Sequence, residues 1–482
     1  MKAKLQITPF IVVVLLLFVF LFKSVEKKTK WVSSEVDGTK KNPNVVLIVV
    51  DDMNGYGSLG QYPIKMPYME ALKKQATNFV NAYCNSPVCN PSRASFFSGL
   101  YPHNTGAYLN GSDAWNKTKQ FKELEALPEL FKRNGYTTWG RGKIFHSPMD
   151  SVREYNMWDN RPIYKGGFGP FPEKEYWFGG NRFFSVKAWE GADEDFPDVK
   201  NANAAIAFLQ QHHEKPFFLY YGLWRPHNPY TAPKRFFDMY QEEETQMPPG
   251  YRNDDLKDVP FQGRQLVDSL KRYYKKGEKS ETLWKKFLWA YKANTTFADW
   301  NYGRVIEALD NSRYADNTIV ILFSDNGFNC GEKERWGKGT LWEQSDYVPL
   351  LIRTPSKQQA TCKRTVSLLD IYPTLIEYCQ IKKPRQTLDG KSLTPLLKDP
   401  DAPWDRPVFT SYGIEYSSVR DERYRYIRYP DGSEELYDHE SDPYELNNIV
   451  ANNNLNGIKE KLRAYIPQTW APNLKGRLEV KR

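Results

Sequence analysis

Tyr83-Cys84-Asn85-Ser86-Pro87-Val88-Cys89-Asn90-Pro91-Ser92-Arg93-Ala94-Ser95 is the segment around which this chain of 482 residues is organised. Asn90 is a favourable N-cap and Pro91 suits the first helical position, which predicts a short helix over residues 92–98 ending at Gly99. Cys89 is then expected just before a helix N-terminus. The partial positive charge and free N–H groups of such an end favour an anion or a reactive sulfur. A buried cysteine beside a proline turn is the alternative that this segment alone leaves open.

Polar side chains follow each of four predicted strands. The strands are predicted over residues 44–50, 136–140, 216–223 and 318–324, and three of them are continuous apolar runs, typical of strands buried on both faces of a parallel sheet. The segments that follow are Asp51-Asp52, Arg141-Gly142-Lys143-Ile144-Phe145-His146, Trp224-Arg225-Pro226-His227 and Asp325-Asn326. Because ligands of open α/β sheets bind at the carboxyl ends of strands, we expect these segments to converge near Cys89. Solvated turn acids and packed histidines are the alternative.

The pattern of elements predicts an α/β fold. We expect a large mixed, mostly parallel sheet sandwiched by helices over residues 43–400, and a smaller C-terminal subdomain of antiparallel sheet plus helix over residues 401–482. Residues 150–200 are rich in glycine, proline and aromatic side chains and predict long surface loops. Residues 240–282 predict an insertion or a mobile loop, and one or two helices are predicted to follow from Trp284 to Leu309.

The charge balance gives little support for binding to nucleic acid. The formal net charge is +9, but residues 1–30 contain six lysines and one glutamate, so the rest of the chain carries only +4. This small excess is mildly favourable for an anionic substrate. The high aromatic content, 15%, is compatible with stacking on sugars, although ordinary packing explains it equally well.

The N-terminal 23 residues predict a signal peptide or a membrane anchor, followed by a linker over residues 24–42. Lys2 and Lys4 precede a sixteen-residue, almost wholly apolar run from Ile7 to Phe22. We therefore expect export to a periplasm, cell surface or extracellular space, or to a lysosomal or secretory compartment in a eukaryote. A membrane is expected as a partner only if this segment is retained.

Five cysteines and three sequons depend on that compartment. An exported protein can form disulfides, and Cys362–Cys379 is the pair to test, with free buried thiols as the alternative. Asn110, Asn116 and Asn294 begin sequons that have meaning only in a eukaryotic secretory host.

The Cys89 segment resembles the C-x-P-S-R signature of the formylglycine-dependent sulfatases, which belong to the alkaline phosphatase superfamily. The similarity covers roughly residues 43–450, with Leu100 where the family usually has arginine. Gly142-Lys143-Ile144-Phe145-His146, Trp224-Arg225-Pro226-His227 and the Trp336 to Glu343 segment also resemble this family, in its iduronate-2-sulfatase-like and polysaccharide sulfatase branch. The resemblance implies that Cys89 is converted to formylglycine by a maturation enzyme.

The acidic strand ends predict a metal site. Asp51, Asp52, Asp325 and Asn326 offer four hard oxygen side chains and no imidazole, which favours Ca²⁺ over Mg²⁺ and argues against a two-zinc phosphatase. By resemblance, the residue at position 89 would also be a metal ligand and would supply the nucleophile as an aldehyde hydrate.

The resemblance also assigns roles to the remaining site residues. Arg93, Lys143 and Lys338 would neutralise charge, and His227 or Lys338 would protonate the leaving oxygen. His146 would remove the second hydroxyl proton so that the aldehyde re-forms and sulfate leaves.

The resemblance implies hydrolysis of a sulfate ester, with a sulfated carbohydrate as the expected substrate; aryl and choline sulfates stay open. One alternative is a phosphonate monoester or phosphodiester hydrolase of the same superfamily. The other is a sulfated-glycan binding protein in which Cys89 is never matured.

Overall fold

The computed structural model describes residues 42–474 except 59, 61, 113, 147–148, 161–163 and 268–279. The predicted signal or anchor segment and the linker up to residue 41 lie outside the described residues. Within the described part of the chain, no helix combines the length and apolar character needed to cross a bilayer. The described residues belong to one compact unit, and the boundary expected near residue 400 stays a prediction.

Nineteen strands occur among the described residues. In chain order they are β1 Asn44–Asp51, β2 Thr77–Phe79, β3 Ala82–Tyr83, β4 Thr137–Gly142, β5 Trp177–Phe178, β6 Asn181–Trp189, β7 Phe217–Pro226, β8 Tyr230–Pro233, β9 Thr318–Ser324, β10 Asn329–Cys330, β11 Trp336–Gly337, β12 Tyr347–Val348, β13 Leu350–Arg353, β14 Ala360–Cys362, β15 Val366–Ser367, β16 Val408–Ser411, β17 Ser417–Arg420, β18 Tyr424–Arg428 and β19 Glu434–Asp438.

The central sheet has seven strands in the order β14-β2-β13-β9-β1-β7-β4. The neighbours β9, β1, β7 and β4 are parallel, and β13 joins β9 antiparallel. β1 is buried along its whole length. Its odd-numbered valines and leucine pack into one hydrophobic core and its even-numbered apolar residues into another, so both faces of the sheet are covered. The predicted α/β fold class is confirmed, and the four strands expected to be parallel are the four at this end of the sheet.

Helices cover both faces of this sheet. The helices of the described residues are α1 Gly55–Ser58, α2 Pro67–Lys73, α3 Cys89–Ser98, α4 Pro102–Thr105, α5 Ala114–Lys117, α6 Lys119–Glu123, α7 Leu127–Arg133, α8 Ser151–Met157, α9 Pro197–Leu209, α10 Lys234–Phe237, α11 Phe261–Gln265, α12 Ser280–Asp310, α13 Glu343–Asp346, α14 Ile371–Tyr378, α15 Thr394–Lys398 and α16 Asn456–Arg463. α12 is one continuous helix of 31 residues over the region where one or two were expected.

The C-terminal strands β16, β17, β18 and β19 form the expected antiparallel sheet, with each strand pairing with the next. Buried Arg425 of β18 joins this sheet to α13. Its guanidinium pairs with Asp346 at 2.7 Å and with Glu445 at 2.6 Å, and it also contacts Glu343. A cation held among three carboxylates in the interior fixes the two elements to each other, because removing it would leave unpaired buried charges.

Two expectations about the loops and cysteines need correction. Residues 150–200 contain the paired strands β5 and β6 as well as α8, and β6 is held in place by parallel pairing with β8. The five cysteines are free, so the Cys362–Cys379 disulfide does not form, and Cys362 Sγ instead donates to the carbonyl of Pro400 at 3.3 Å.

One of the three sequons is inaccessible. Asn294 is completely buried in α12 and cannot accept a glycan in the folded chain.

Candidate active site

The carboxyl ends of β1, β7, β4 and β9 lie at one edge of the central sheet because these four strands are parallel. β1 ends at Asp51, β4 leads into Lys143, β7 leads into His227, and β9 leads into Asp325. The structure therefore brings the four predicted polar segments to one place, which is where open α/β sheets bind their ligands. Cys89 and Lys338 reach the same place from α3 and from the segment after β11.

Cys89 begins helix α3, two positions before Pro91, the residue that the sequence favoured for the first helical position. Val88 is the N-cap residue in extended backbone, and the helix ends at Gly99 in the left-handed conformation, as expected. Asn90 was predicted as the cap, but its side chain instead donates to the carbonyl of Leu109 at 3.2 Å and to Ser112 Oγ at 2.9 Å. The sulfur of Cys89 thus lies in the first turn of the helix, where backbone N–H groups favour negative charge.

The thiol of Cys89 is fully buried and surrounded by polar groups. Its Sγ lies 3.3 Å from His146 Nδ1 and 3.4 Å from Lys338 Nζ. Burial by itself would raise the pKa of this thiol, but His146, Lys143 and Lys338 outweigh it and lower the pKa to about 6. The site therefore stabilises negative charge at position 89 near neutral pH.

Three carboxylates and three cations alternate around this sulfur. Lys143 Nζ contacts Asp51 Oδ2 and lies 3.9 Å from Asp325 Oδ2. Lys338 Nζ contacts Asp52 Oδ1 and lies 3.9 Å from Asp51 Oδ1. Burial would raise the pKa of Asp51 and of Asp52, but Lys143 and Lys338 respectively reverse the effect and hold both pKa values below the usual value. Asp51 and Asp52 can therefore both be ionised, although they are buried.

Arg93 is the third cation, and its guanidinium is fully enclosed. Nε pairs with Asp325 Oδ2 at 2.7 Å, whereas Nη1 donates to the carbonyls of Lys143 and Ile144 at 2.7 and 3.0 Å and to Tyr220 OH at 2.9 Å. Nη2 is buried and has no hydrogen-bond partner. Arg93 therefore fixes Asp325 and the backbone that carries Lys143, and it has one donor left for a ligand.

Two site residues have strained backbone. Asp52 has φ 63° and His146 has φ 62°, in the left-handed region that residues with side chains seldom adopt. Strain of this kind persists only where the surrounding structure imposes it, and it is common at functional sites. Close approach of β4 and β7 adds a further constraint, since a Cβ on Gly222 would lie 1.9 Å from the carbonyl oxygen of Lys143.

His227 and Lys338 differ in protonation. His227 Nδ1 lies 2.6 Å from the carbonyl oxygen of Asn228 and donates to it, which leaves Nε2 facing Asp52 Oδ2 at 3.8 Å. Burial lowers the pKa of His227 to about 4, despite the neighbouring carboxylates. Burial opposes the charge of Lys338 as well, but Asp52 and the other anions raise its pKa well above the usual value. At neutral pH the available proton is therefore on Lys338.

The oxygen side chains fit a hard divalent cation. Asp51 Oδ1 and Asn326 Oδ1 are buried without a hydrogen-bond partner, and ligand atoms of Asp51, Cys89 and Asp325 lie within 4.8 Å of one another. Unpartnered buried oxygens are costly unless a cation satisfies them. Asp52 is the fourth oxygen side chain of this group, and its Oδ1 accepts from Asn326 Nδ2 at 2.8 Å.

A second group of candidate ligands lies among the described residues. Glu343, His439 and Glu445 also bring ligand atoms within 4.8 Å of one another. Arg425 contacts both glutamates, and His439 Nε2 lies 2.9 Å from Glu445 Oε1. Because a guanidinium already neutralises these carboxylates, the cluster is an ion network that joins α13 to the C-terminal sheet.

Asn110 belongs to the site, although sequence reasoning did not select it for this role. Its Oδ1 accepts from the backbone N–H of Asn90 at 3.1 Å and lies 3.8 Å from Cys89 Sγ. It thus satisfies one of the free N–H groups at the start of α3. Apart from its sequon, the local sequence carries no pattern that would have found it, since the contact depends on how residues 101–112 return past α3.

Comparison with known protein families agrees with this geometry. A family model described as Sulfatase matches residues 43–381, and a second, described as N-sulphoglucosamine sulphohydrolase, C-terminal, matches residues 331–471. The two matches together span nearly all the described residues.

Curated relatives and solved structures give the same assignment of family and fold. A sulfatase of Formosa agariphila is 36% identical, over 92% of this chain and 89% of its own length. An ulvan-active sulfatase of the same organism is 28% identical, over 94% of this chain and 85% of its own. The crystal structure of a phosphonate monoester hydrolase of Agrobacterium radiobacter has a TM-score of 0.69 at 21% identity, over 88% of this chain and 95% of its own, and at that identity it shows the fold alone.

Proposed function

Since the chain belongs to the sulfatase family and is a sulfuric ester hydrolase, we propose that it removes sulfate from a sulfated carbohydrate with a formylglycine at position 89 and Ca²⁺ as the metal. The family that the Cys89 segment suggested is confirmed. The carbohydrate substrate is supported by relatives such as the ulvan-active sulfatase, whose name states a polysaccharide target.

The arrangement of charge around Cys89 is the observation that carries the proposal. The carboxylates of Asp51, Asp52 and Asp325 balance the three cations Arg93, Lys143 and Lys338. A divalent cation added to this balanced set gives a net positive site, which is what an anionic sulfate ester requires.

We assign the metal ligands to Asp51, Asp52, Asp325 and Asn326, together with the group at position 89. Oxygen ligands without imidazole favour calcium. When bound, calcium would polarise the sulfate group and lower the pKa of the attacking hydroxyl. The hydrate of a formylglycine at position 89 would provide that hydroxyl, because a geminal diol can expel sulfate and a thiol cannot.

The chain's own residues then divide the proton transfers. His146 Nδ1 is 3.3 Å from Sγ and is placed to accept a proton from the group at position 89. Lys338 is protonated and 3.4 Å from the same atom, so it is the residue placed to donate to the leaving oxygen. His227 is neutral at this pH, so its unprotonated Nε2 is an acceptor, and we assign it to orienting the saccharide by accepting from one of its hydroxyl groups. Arg93 and Lys143 hold the carboxylates in place.

The maturation of Cys89 and the compartment are part of the same proposal. A formylglycine-generating enzyme is the required partner, because the encoded residue is a cysteine. The basic start and apolar run of the N-terminal 23 residues support export, either as a cleaved signal or as a retained anchor.

A desulfation screen on matured protein tests the proposal. Intact mass of the tryptic peptide containing Cys89 should show replacement of sulfur by oxygen, and the matured protein should release sulfate from defined sulfated mono- and oligosaccharides. A peptide that keeps its sulfur in a protein that only binds glycans would support the non-catalytic alternative. Rates on p-nitrophenyl sulfate and phenylphosphonate should be compared in parallel, and dominant turnover of the phosphonate would overturn the proposal.

A further inference from the structure

An aromatic cluster connects the candidate active site to Arg182 on the surface. Phe168 packs against the His227 ring at 4.5 Å between centroids and against Trp224 at 4.4 Å, and Lys143 Nζ lies 5.7 Å from its ring. On its other side Phe168 meets Phe183 edge-on at 5.3 Å. One ring, Phe168, therefore contacts both the site and the β5–β6 hairpin.

Arg182 lies at the outer end of this cluster. Its guanidinium carbon is 4.5 Å from the ring centroid of Phe171 and 5.5 Å from that of Phe183, and these two rings meet edge-on at 5.2 Å. The three phenylalanines are half-buried, whereas Arg182 is exposed. In the described part of the chain no carboxylate forms an ion pair with Arg182, in contrast to Lys187 on the same strand, which pairs with Glu173 at 2.6 Å.

The segments on either side of Arg182 and its rings are held by contacts that do not involve the rings. β6 pairs in parallel with β8, with Val186 opposite Tyr230, so the hairpin is in register with the strand that follows His227. Buried Arg225 donates to the carbonyl of Gly169 at 3.3 Å, and Thr231 Oγ1 donates to the carbonyl of Pro170 at 3.0 Å. These bonds hold the segment between Phe168 and Phe171 against the strand ends of the site.

We propose that Arg182, with Phe171 and Phe183 behind it, binds a second anionic group of the saccharide, either a sulfate or a carboxylate, and so determines substrate specificity. The inference rests on the proposed function and specifies its substrate class as a saccharide with two or more negative groups. A guanidinium held over aromatic rings loses little conformational freedom on binding and can make a bidentate contact with an oxyanion. Because no carboxylate of the described residues pairs with Arg182, this contact is left to the substrate.

The test uses matured enzyme and three disaccharides that share one scissile sulfate. The first carries no other charge, the second a further sulfate and the third a uronate carboxylate. The measured quantity is the ratio of kcat/KM for each doubly charged substrate to that for the singly charged one. Arg182→Ala should lower this ratio about tenfold for the sulfate, the carboxylate or both, through KM rather than kcat, and Arg182→Lys should recover part of it. Lys187→Ala is the matched control and should keep the ratio.

Binding separates this inference from the proposed function. The same disaccharides are titrated into full-length Cys89→Ala protein with and without Arg182→Ala. If Arg182→Ala weakens the binding of a doubly charged disaccharide about tenfold, the subsite is supported. This holds even if the wild-type enzyme desulfates none of the three disaccharides, because that lack of activity would overturn only the proposed function. An unchanged ratio and unchanged affinity in Arg182→Ala, or an equal loss for all three substrates, would overturn the subsite while leaving the sulfatase activity intact.

Discussion

Replacing Arg93 by lysine distinguishes a charge-neutralising residue from one that positions the site. Both side chains carry a positive charge, so a purely electrostatic role would survive the change. The guanidinium, however, donates in several directions, to Asp325, to Tyr220 and to the carbonyls of Lys143 and Ile144. An ammonium on a flexible chain cannot reproduce that fixed fork.

The size of the effect follows from the bonds that are lost. Lysine can keep the contact with Asp325 at best, which removes the three contacts of Nη1, at 2.7, 3.0 and 2.9 Å. Because these contacts share the two N–H groups of Nη1, they amount to two donated hydrogen bonds at about 1–1.5 kcal/mol each, and their loss lowers the free energy of unfolding by about 2–3 kcal/mol. A shift of the 143–144 backbone by about 1 Å would lower kcat/KM about 100-fold.

The assay combines urea unfolding, followed by tryptophan fluorescence, with kcat/KM for p-nitrophenyl sulfate on protein whose maturation at Cys89 is verified by mass. Arg353→Lys is the matched control. Arg353 is also buried and pairs with Asp310 at 2.8 and 3.0 Å, but it lies opposite Val320, far from the end of β9 that leads to Asp325. This control should lose stability and keep its activity.

Full activity in Arg93→Lys, together with a loss of less than about 1 kcal/mol of unfolding free energy, would refute the positioning role. Equal losses of activity in Arg93→Lys and Arg353→Lys would show that destabilisation alone explains the result.

Three further predictions concern the thiol, the metal and the backbone. In unmatured protein with chelator present, the thiolate absorbance that Cys89→Ala removes should reach half its full value near pH 6. Because this pKa is depressed in the folded state, the thiolate stabilises the fold fully above about pH 9, and that stabilisation is lost as the pH falls through about 6. A midpoint near the pKa of an ordinary thiol would contradict the geometry. Ca²⁺ should raise the Tm of the protein and a chelator should reverse the shift, whereas Asp325→Asn should abolish the response; an equal response in the variant would place the metal elsewhere. Gly222→Ala should lower the free energy of unfolding by about 3 kcal/mol because its Cβ would meet the carbonyl of Lys143 at 1.9 Å, whereas Gly167→Ala, with open space at its Cβ, should change it little in the same denaturation experiment.

Periodicity and strand ends predicted much of the site. The apolar run before Asp51 is buried on both faces, which is possible only for an interior strand of a covered sheet, and its parallel neighbours must then end at the same edge. Local patterns were less reliable at the start of α3, where Asn90 bonds to Leu109 and Ser112 instead of capping the helix. Capping propensity is a local preference, and a tertiary hydrogen bond overrode it.

Residues that act through long-range contacts could not be found in this way. Asn110 is near Cys89 only because a loop returns past the helix, and whether Arg182 pairs with a carboxylate depends on which side chains the fold brings near it. The aromatic-rich stretch over residues 150–200 shows no strand periodicity, so its sequence predicts loops. Its strands form through pairing instead, β6 with β8 and β5 with β6.

The sequence by itself determined the family, the α/β class and the residue types of the site, since these are written in short motifs and in apolar runs that a covered parallel sheet requires. Only the tertiary structure decided which charges compensate one another. Arg93 is enclosed with Asp325, Lys143 and Lys338 neutralise the two aspartates at the end of β1, and Arg182 pairs with no carboxylate of the described residues. Electrostatic interactions depend on distance and burial across residues far apart in the chain, and neither can be read from sequence spacing.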